Sequence, residues 1–170
     1  MFLTLLIKLC VDPILQFKEQ LRYNNMVTIQ SISHSETDSV KNLLQLSGLP
    51  YSDLDEAPAH FFGVKENDQF IATGALEIYG VNAVLRSVAV HEAYQNMGYG
   101  LQIVRFLENK AIEKGIKHLF LLTITATEFF KKLGYLPQQR DLCPPEILSS
   151  AQFREICPLS ASCLSKKLQN

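Results

Sequence analysis

Apolar and polar positions along the chain repeat with two periods, which together predict one sheet with helices packed against it. Segments in which apolar residues alternate with polar ones, or run together, are predicted as strands, namely residues 27–33, 60–64, 69–79, 83–90 and 117–124. The last segment (KHLFLLTI) is almost continuously apolar, as expected of a strand buried on both faces. Polar turns at residues 65–68 and 80–82 join three of these strands into a consecutive antiparallel set.

Three segments carry the helical period instead. Ser35 begins S-E-T-D, which matches a capping box, and the apolar stripe after it stops at Gly48. Residues 100–114 place apolar side chains on one face and charged ones on the other. A second capping box, T-A-T-E at residues 125–128, predicts a short helix that ends just before Gly134.

This order of elements predicts an α/β (α+β) fold, with a mixed, mostly antiparallel central sheet flanked by helices. We expect one domain over residues 26–170, preceded by an extension of residues 1–25 that lies outside the compact core. Residues 51–59 are predicted as a loop, and residues 160–166 as a final strand.

The charge composition argues against nucleic acid and anionic membranes as binding partners. Apolar residues make up 47% of the chain, and sixteen basic side chains nearly balance seventeen acidic ones. The chain therefore lacks the global charge that would attract nucleic acid or an anionic membrane. Its apolar first nine residues are interrupted by Lys8 and are too short to span a bilayer, so we expect a cytoplasmic protein.

The most informative segment is residues 88–100 (VAVHEAYQNMGYG), a strand that passes through a short loop into a helix. Gly98 and Gly100 tolerate backbone angles that other residues avoid, and they let a ligand approach closely. The first amides of a helix have no partner within it, and with the helix dipole they form a seat for a diphosphate. Neither the G-K-[ST] of nucleoside triphosphatases nor the third glycine of dinucleotide folds is present, which indicates another nucleotide-bearing ligand.

The stretch Gln95-Asn-Met-Gly-Tyr-Gly100 resembles the Q/R-x-x-G-x-G/A motif of the GNAT superfamily of N-acetyltransferases. The strand LRSVAV before it and the amphipathic helix after it fit the same pattern. Residues 129–135 (FFKKLGY) are similar to the family's F-Y-x-K-x-G-F segment. The likeness covers residues 27–137.

The resemblance implies that acetyl passes from acetyl-CoA to the primary amine of a small or amino-acid-like acceptor in a ternary complex, without a metal. It implies a sheet splayed between the strands of residues 83–90 and 117–124, with the thioester in the gap and the Val90 amide as an oxyanion donor. A homodimer through the C-terminal strand would suit the family. The residues expected to hold the cofactor are Val88, Ala89, Val90, Gln95, Asn96, Met97, Gly98, Tyr99, Gly100, Phe129 and Lys132.

The proton-transfer groups depart from the family pattern. Phe130 stands where the family often has a tyrosine acid, and Tyr135 is the substitute only if its hydroxyl reaches the sulfur; otherwise it is a packing residue. Glu77 is the candidate general base, with a solvent-facing glutamate as the alternative. Arg86 is costly to bury alone, so it either pairs with Glu77 or binds an acidic group of the substrate.

Four cysteines (Cys10, Cys143, Cys157 and Cys163) are widely spaced, which indicates reduced thiols. The ending ICPLSASC resembles the C-terminus of a GNAT subgroup associated with arsenic resistance. Because thiolates suit soft metalloids, one hypothesis is that Cys157 and Cys163 bind trivalent arsenic. The alternative is that both are small buried apolar residues.

The leading interpretation is an N-acetyltransferase. A regulatory protein that binds CoA without efficient catalysis, and a thiol-based metalloid-binding protein, are the alternatives. No motif identifies the acceptor, whose pocket we expect from residues 51–59 and the hairpin turns.

Overall fold

The structure, a computed structural model, describes residues 27–169, so the expected extension of residues 1–25 lies outside the described residues. Within this range, strands and helices follow in the order β1 (Gln30–Ser31), α1 (Thr37–Leu46), β2 (Ala59–Glu66), β3 (Gln69–Tyr79), β4 (Asn82–Val90), α2 (Tyr99–Glu113), β5 (His118–Thr123), α3 (Thr127–Lys132), β6 (Leu136–Pro137), α4 (Pro145–Leu148) and β7 (Ser162–Lys167).

All seven described strands join one sheet in the order β1-β2-β3-β4-β5-β7-β6. Every neighbouring pair is antiparallel except β4 and β5, which are parallel. The predicted mixed, mostly antiparallel sheet is therefore confirmed. A parallel pair needs a long crossover, and here α2 supplies it.

The sheet opens between β4 and β5. These strands pair only where Asn82, Ala83 and Val84 face the first three residues of β5. Beyond that point β5 pairs with β7 alone, and residues 85–90 of β4 have no strand beside them on this edge within the described chain. The predicted splay is confirmed, and it leaves a row of backbone groups of β4 free to bind an extended ligand.

A β-bulge lies at the point where the two strands separate. Gly74 of β3 faces both Ser87 and Val88 of β4, because the pairing register shifts by one residue there. Ser87 has a φ of 55°, in the left-handed region that non-glycine residues rarely adopt. A Cβ on Gly74 would lie 2.7 Å from Cγ2 of Ile103, so glycine lets α2 pack closely against the bulge. Bulges bend a strand, and this one lies where the cleft begins.

Two core clusters sandwich the central strands. The larger lies under α2, whose Ile103, Val104 and Leu107 are fully buried against β3, β4 and β5. The second lies under α1 on the opposite face, where Leu44 packs with Phe70. The helices therefore fix both faces of the strands that border the cleft.

The N-terminal elements differ from the predictions in two details. β1 is shorter than residues 27–33, and Ile32 packs in the second cluster, away from the side of Val27 and Ile29. The cap lies before the predicted Ser35, because the Ser33 amide and hydroxyl donate to the Glu36 carboxylate. Several Ser, Thr and acidic residues in a row leave the register of a capping box ambiguous in the sequence.

The short helix α3 also begins differently. It starts at Thr127, and the Thr123 hydroxyl accepts a hydrogen bond from the Ala126 amide in place of the predicted box at residues 125–128. Its end is as predicted, with Gly134 in the left-handed region at φ 87°.

The C-terminal tail contains more structure than the single predicted strand. Besides α4 it forms a π-helical turn at Gln152–Ile156, and β7 begins two residues later than predicted. Ile147 and Phe153 of the tail pack on Phe120 of β5 in a third cluster. The tail therefore covers the sheet beside the splay and brings its own residues to the cleft.

Candidate active site

Two adjoining cavities fill the splay between β4 and β5. The outer cavity, of about 510 Å³, lies against the loop that precedes α2. The inner cavity, of about 350 Å³, runs between residues 85–90 and 121–126 toward the tail. The two share lining residues, which are Val88, Val90, Gln95, Ala126 and Phe130. A single continuous cleft therefore runs from the loop before α2 into the gap between β4 and β5.

The loop before α2 presents free backbone amides to the outer cavity. Asn96 and Gly98 have φ angles of 63° and 88°, and Gly98 caps the fifteen-residue helix. The amides of residues 96–101 donate to no acceptor among residues 27–169. Adjacent amides at a helix N-terminus, at the positive end of its dipole, form a site suited to a phosphate group. These free amides lie where the two glycines predicted a diphosphate seat.

Most of the residues expected to hold the cofactor line this cleft. Those that line the outer cavity are Val88, Val90, Gln95, Asn96, Gly98, Tyr99, Gly100 and Phe129, while Ala89 lines the inner one. Phe129 forms a wall, since its ring lies 3.6 Å from the position of a Cβ on Gly100. Met97 is 61% exposed and Lys132 is exposed, and neither side chain lines a cavity.

The backbone of β4 also faces the cleft. The His91 amide donates to the Ile71 carbonyl at 2.8 Å, and Val90 stands opposite Ala72 in the register. Because hydrogen-bonded and non-hydrogen-bonded pairs alternate in an antiparallel ladder, the Val90 N–H and C=O point away from β3, toward the cleft. Gln95 Nε2 donates to the Val90 carbonyl at 3.2 Å, whereas the Val90 amide donates to no acceptor within residues 27–169.

Arg86 lies at the floor of the inner cavity and is paired on its other side. Its side chain is 1% exposed, and its Nη1 lies 3.1 Å from Oε2 of Glu77. The structure therefore contains the internal pair, one of the two alternatives for Arg86. Asp53 is a second partner that the sequence did not indicate, with its carboxylate oxygens 2.7 Å from Nη1 and Nη2. Although burial opposes the charge, Asp53 and Glu77 hold the pKa of the Arg86 guanidinium above its usual value.

Glu77 is buried but does not line the cleft. It is 2% exposed, which excludes the solvent-facing alternative. Its carboxylate accepts hydrogen bonds from Arg86 and from the Tyr79 hydroxyl, and it borders a separate pocket of about 260 Å³. Burial raises the pKa of that Tyr79 hydroxyl. Both carboxylate oxygens accept hydrogen bonds and Glu77 lines neither cavity of the cleft, which gives no support to direct contact with an amine there.

Tyr135 is a core residue in this structure. It is fully buried in the main cluster, edge-on to Phe130, and lines neither cavity of the cleft. Burial raises the pKa of its hydroxyl, which donates to no acceptor in the described chain. This agrees with the packing alternative and gives no support to a role as the acid. Phe130, which borders both cavities, carries no proton to donate.

The described cysteines occupy two different environments. Sγ of Cys163 lies 3.7 Å from Sγ of Cys143 in the third cluster, and burial raises the pKa of Cys163 to about 12. Cys157 instead lines the inner cavity, and its thiol donates to Oε1 of Gln152. Cys163 therefore has Cys143 as its thiol neighbour. No group of three or more His, Cys, Asp or Glu within residues 27–169 could hold a metal ion.

Sequence reasoning missed most of the inner end of the cleft. Besides β4 and β5, its walls come from the start of the loop after α1 and from the tail, namely Ser47, Gly48, Leu49, Pro50, Gln152, Cys157, Pro158 and Ala161. The expected loop of residues 51–59 borders the smaller pocket beside Glu77, and the hairpin turns border neither. Gln152 is a polar residue of this region that is only 8% exposed. Its local sequence, SSAQFRE, gives no sign of that burial.

Comparison with known proteins gives a consistent result. The family model described as "Acetyltransferase (GNAT) family" matches residues 24–135. An uncharacterized N-acetyltransferase of Chlorobaculum tepidum is 32% identical over 104 residues, which is 61% of this chain and 64% of that relative. An amino-acid acetyltransferase of Yersinia enterocolitica is 30% identical over 86 residues, 49% of this chain and 20% of the relative. The chain thus spans less than two thirds of the length of these relatives.

Solved structures share the fold. N-acetylglutamate synthase of Neisseria gonorrhoeae, complexed with coenzyme A and N-acetyl-glutamate, aligns with a TM-score of 0.72 at 19% identity, covering 85% of this chain and 35% of the synthase chain. Rv2747 of Mycobacterium tuberculosis, in complex with CoA and NLQ, aligns with a TM-score of 0.68 at 22% identity, covering 84% and 99%. No helix within residues 27–169 is long and apolar enough to cross a membrane.

Proposed function

The chain belongs to the GNAT family of acetyltransferases, and from this premise we propose that it transfers acetyl from acetyl-CoA to the primary amine of a small, amino-acid-like acceptor. The observation that carries the proposal is the row of unpartnered amides at residues 96–101, at one end of a cleft that opens the sheet. Both reactants would be bound at once, and their relative positioning would supply much of the rate.

The cofactor would lie along the outer cavity and reach the start of the inner one. The amides of residues 96–101 would accept the diphosphate, and Phe129 would pack against the part of the cofactor in the outer cavity. The pantetheine arm would run beside residues 88–90 as an added strand, pairing with backbone groups that β5 leaves free. This route would bring the thioester to the junction of the two cavities.

The transfer itself would be a direct attack in the ternary complex. The neutral amine nitrogen would attack the thioester carbonyl carbon, the C–S bond would break, and the nitrogen would lose one proton to water as the amide forms. The Val90 N–H, which points into the cleft, would stabilise the developing oxyanion. The departing CoA thiolate, with a pKa near that of an ordinary thiol at about 8.5, can take its proton from water and needs little help from an acid.

The acceptor class is inferred from relatives and from the inner cavity. Amino-acid acetyltransferases are among the similar proteins, and one similar structure was solved with N-acetyl-glutamate. The inner cavity, of about 350 Å³, is large enough for a small acceptor beside the end of the cofactor arm. Polar residues of its lining, among them Ser87, Thr123 and Gln152, would orient such an acceptor.

An acetylation assay tests the proposal directly. The purified full chain is incubated with acetyl-CoA and a panel of amino acids and other small amines, and products are identified by mass spectrometry while free thiol release is followed. We expect an N-acetylated product and matching thiol release with at least one amine. Thiol release at the rate of the protein-free control with every amine would contradict the proposal.

A second function has support from the site itself. Tyr135 is buried away from the cleft, Phe130 has no proton, and Glu77 faces another pocket, as in a regulatory protein that binds CoA without efficient catalysis. Calorimetry with CoA, combined with the acetylation assay, distinguishes the two functions. CoA binding without turnover of any amine would favour the regulatory function, and turnover would exclude it.

The arsenic-resistance setting stays a prediction from the C-terminal resemblance. The thiol pair with suitable contact is Cys143 and Cys163, because Cys157 lies at the cleft instead. Arsenite titration with mass detection tests whether a dithiol adduct forms. An adduct that survives Cys143→Ser combined with Cys163→Ser, or no adduct on the wild type, would reject metalloid binding by this pair.

A further inference from the structure

We propose that Asp53 is a positioning residue that clamps the loop of residues 47–58 to β4 through Arg86, and thereby sets the shape of the acceptor end of the cleft. The clamp rests on the proposed function, because its kinetic effect requires an amine to be acetylated there.

The loop of residues 47–58 forms two walls at once. It contains turns but neither helix nor strand between α1 and β2. Ser47, Gly48, Leu49 and Pro50 line the inner cavity. Its second half, including Asp53, lines the smaller pocket on the far side of the Arg86 ion pairs. Any movement of this loop would therefore change the acceptor end directly.

Arg86 is the fixed point to which the loop is attached. It follows the last residue of β4 that pairs with β5 by two positions, so it stands where the sheet opens. Its side chain is buried between the inner cavity and the carboxylates. One hydrogen bond, from Nη2 to Oδ1 of Asp53 at 2.7 Å, holds the loop to the guanidinium. Oδ2 of Asp53 adds an ion-pair contact of 2.7 Å to Nη1 but accepts no hydrogen bond within the described residues.

Asp53 is a second carboxylate beside Arg86, and neutralising the buried charge does not by itself explain it. Glu77, on the neighbouring strand, would by itself neutralise the buried guanidinium. Asp53 adds a further negative charge from a different part of the chain, 33 residues away. Its contribution is to tie the loop to the sheet. The other charged contact of this loop is Lys41 with Asp55, at 2.6 Å on a more exposed surface.

The two ends of the cleft should then respond differently when the clamp is removed. The proposed cofactor end is made of backbone amides at residues 96–101, and no residue of the loop 47–58 lines the outer cavity beside them. The acceptor end depends on that loop. Loss of the Asp53 charge should therefore weaken amine use and leave cofactor binding intact.

The test compares Asp53→Asn with Asp55→Asn, a matched loss of one loop carboxylate that does not reach Arg86. For Asp53→Asn we expect the KM of the amine to rise about tenfold while the KM of acetyl-CoA changes less than about twofold. Asp55→Asn should leave both constants within about twofold of wild type. Asp53→Glu, which keeps the charge, should recover part of the loss. An equal rise in both KM values, or no rise in either, would overturn the clamp.

Hydrogen exchange gives a readout that does not need turnover. Peptides covering residues 47–58 should exchange faster in Asp53→Asn than in wild type, while peptides of α2 and the CoA affinity measured by calorimetry stay unchanged. Unchanged exchange in the loop would reject the clamp even if amines are acetylated. Faster loop exchange in a protein that acetylates no amine would keep the clamp as a structural tie and reject the proposed function.

Discussion

The two ends of the cleft are built from different materials. At the proposed cofactor end, the candidate site is made of backbone amides of a continuous segment, residues 96–101, and side chains mainly provide space and an aromatic wall. At the proposed acceptor end, residues from the loop after α1, from β4 and β5 and from the tail converge. A site made of backbone within one segment depends on local conformation, whereas a site made of distant side chains depends on the whole fold. Mutations should therefore act locally at one end and globally at the other.

We expect the largest effect when the positive charge of Arg86, at the proposed acceptor end, is removed. Arg86→Met would leave the buried Glu77 and the nearby Asp53 without their cation, which should lower the free energy of unfolding by about 3–5 kcal/mol. Urea denaturation followed by circular dichroism measures this. Arg86→Lys keeps the charge but loses the planar fork, so its loss should be smaller. A loss of less than about 1 kcal/mol in Arg86→Met would show that the cluster behaves as a surface pair.

The matching change at the cofactor end is Gly98→Asp. A carboxylate placed among the free amides would occupy the proposed anion site and repel the diphosphate. We therefore expect the CoA affinity to fall about 100-fold, with little change in the free energy of unfolding. Calorimetry measures the affinity.

Gly98→Asn is the control for this change. Asparagine has the shape of aspartate without its charge, and it tolerates the positive φ of 88° better than most residues. It should retain most of the CoA affinity. Equal losses in the two variants would show that backbone strain, and not charge, governs this end.

Glu77→Gln tests whether Glu77 acts as the general base or only positions Arg86. Because Glu77 contacts Arg86 and lies outside the cleft, we expect the kcat/KM for the amine to fall about tenfold while activity still declines at low pH as in wild type. If Glu77 were the general base, its protonation would cause that decline, and the variant would show a flat profile on the acidic side. A flat profile would therefore restore Glu77 as the base.

The smallest expected effect concerns Cys157, which reports on occupancy of the inner cavity. Burial raises the pKa of its thiol, so less thiolate is present near neutral pH and alkylation by iodoacetamide should accelerate as the pH is raised. Acetyl-CoA should slow this alkylation about threefold. Adenosine 3′,5′-bisphosphate, which lacks the pantetheine arm, should not. Peptide mass spectrometry reads the site directly, and equal protection by both compounds would contradict the placement of the cleft.

Much of the cofactor end could be predicted from the sequence. The splay, the strand of residues 83–90, the long helix and the glycine loop followed from periodicity and from the family resemblance, and the fold confirms their arrangement. Capping was harder, because overlapping Ser, Thr and acidic residues allow several registers, and the structure selects Ser33 with Glu36. Tyr135 shows a further limit, since its sequence position cannot tell a cleft hydroxyl from a buried one.

The sequence by itself determined the features that depend on near neighbours. Alternation sets which face of a strand is buried, and glycine at Gly98 allows the turn that exposes the amides, because both are properties of a few adjacent residues. Only the tertiary structure decided which distant groups meet: Asp53 with Arg86, Cys163 with Cys143, and Cys157 with the cleft. Such pairings depend on how helices and tail pack against the sheet, and no local pattern encodes that geometry.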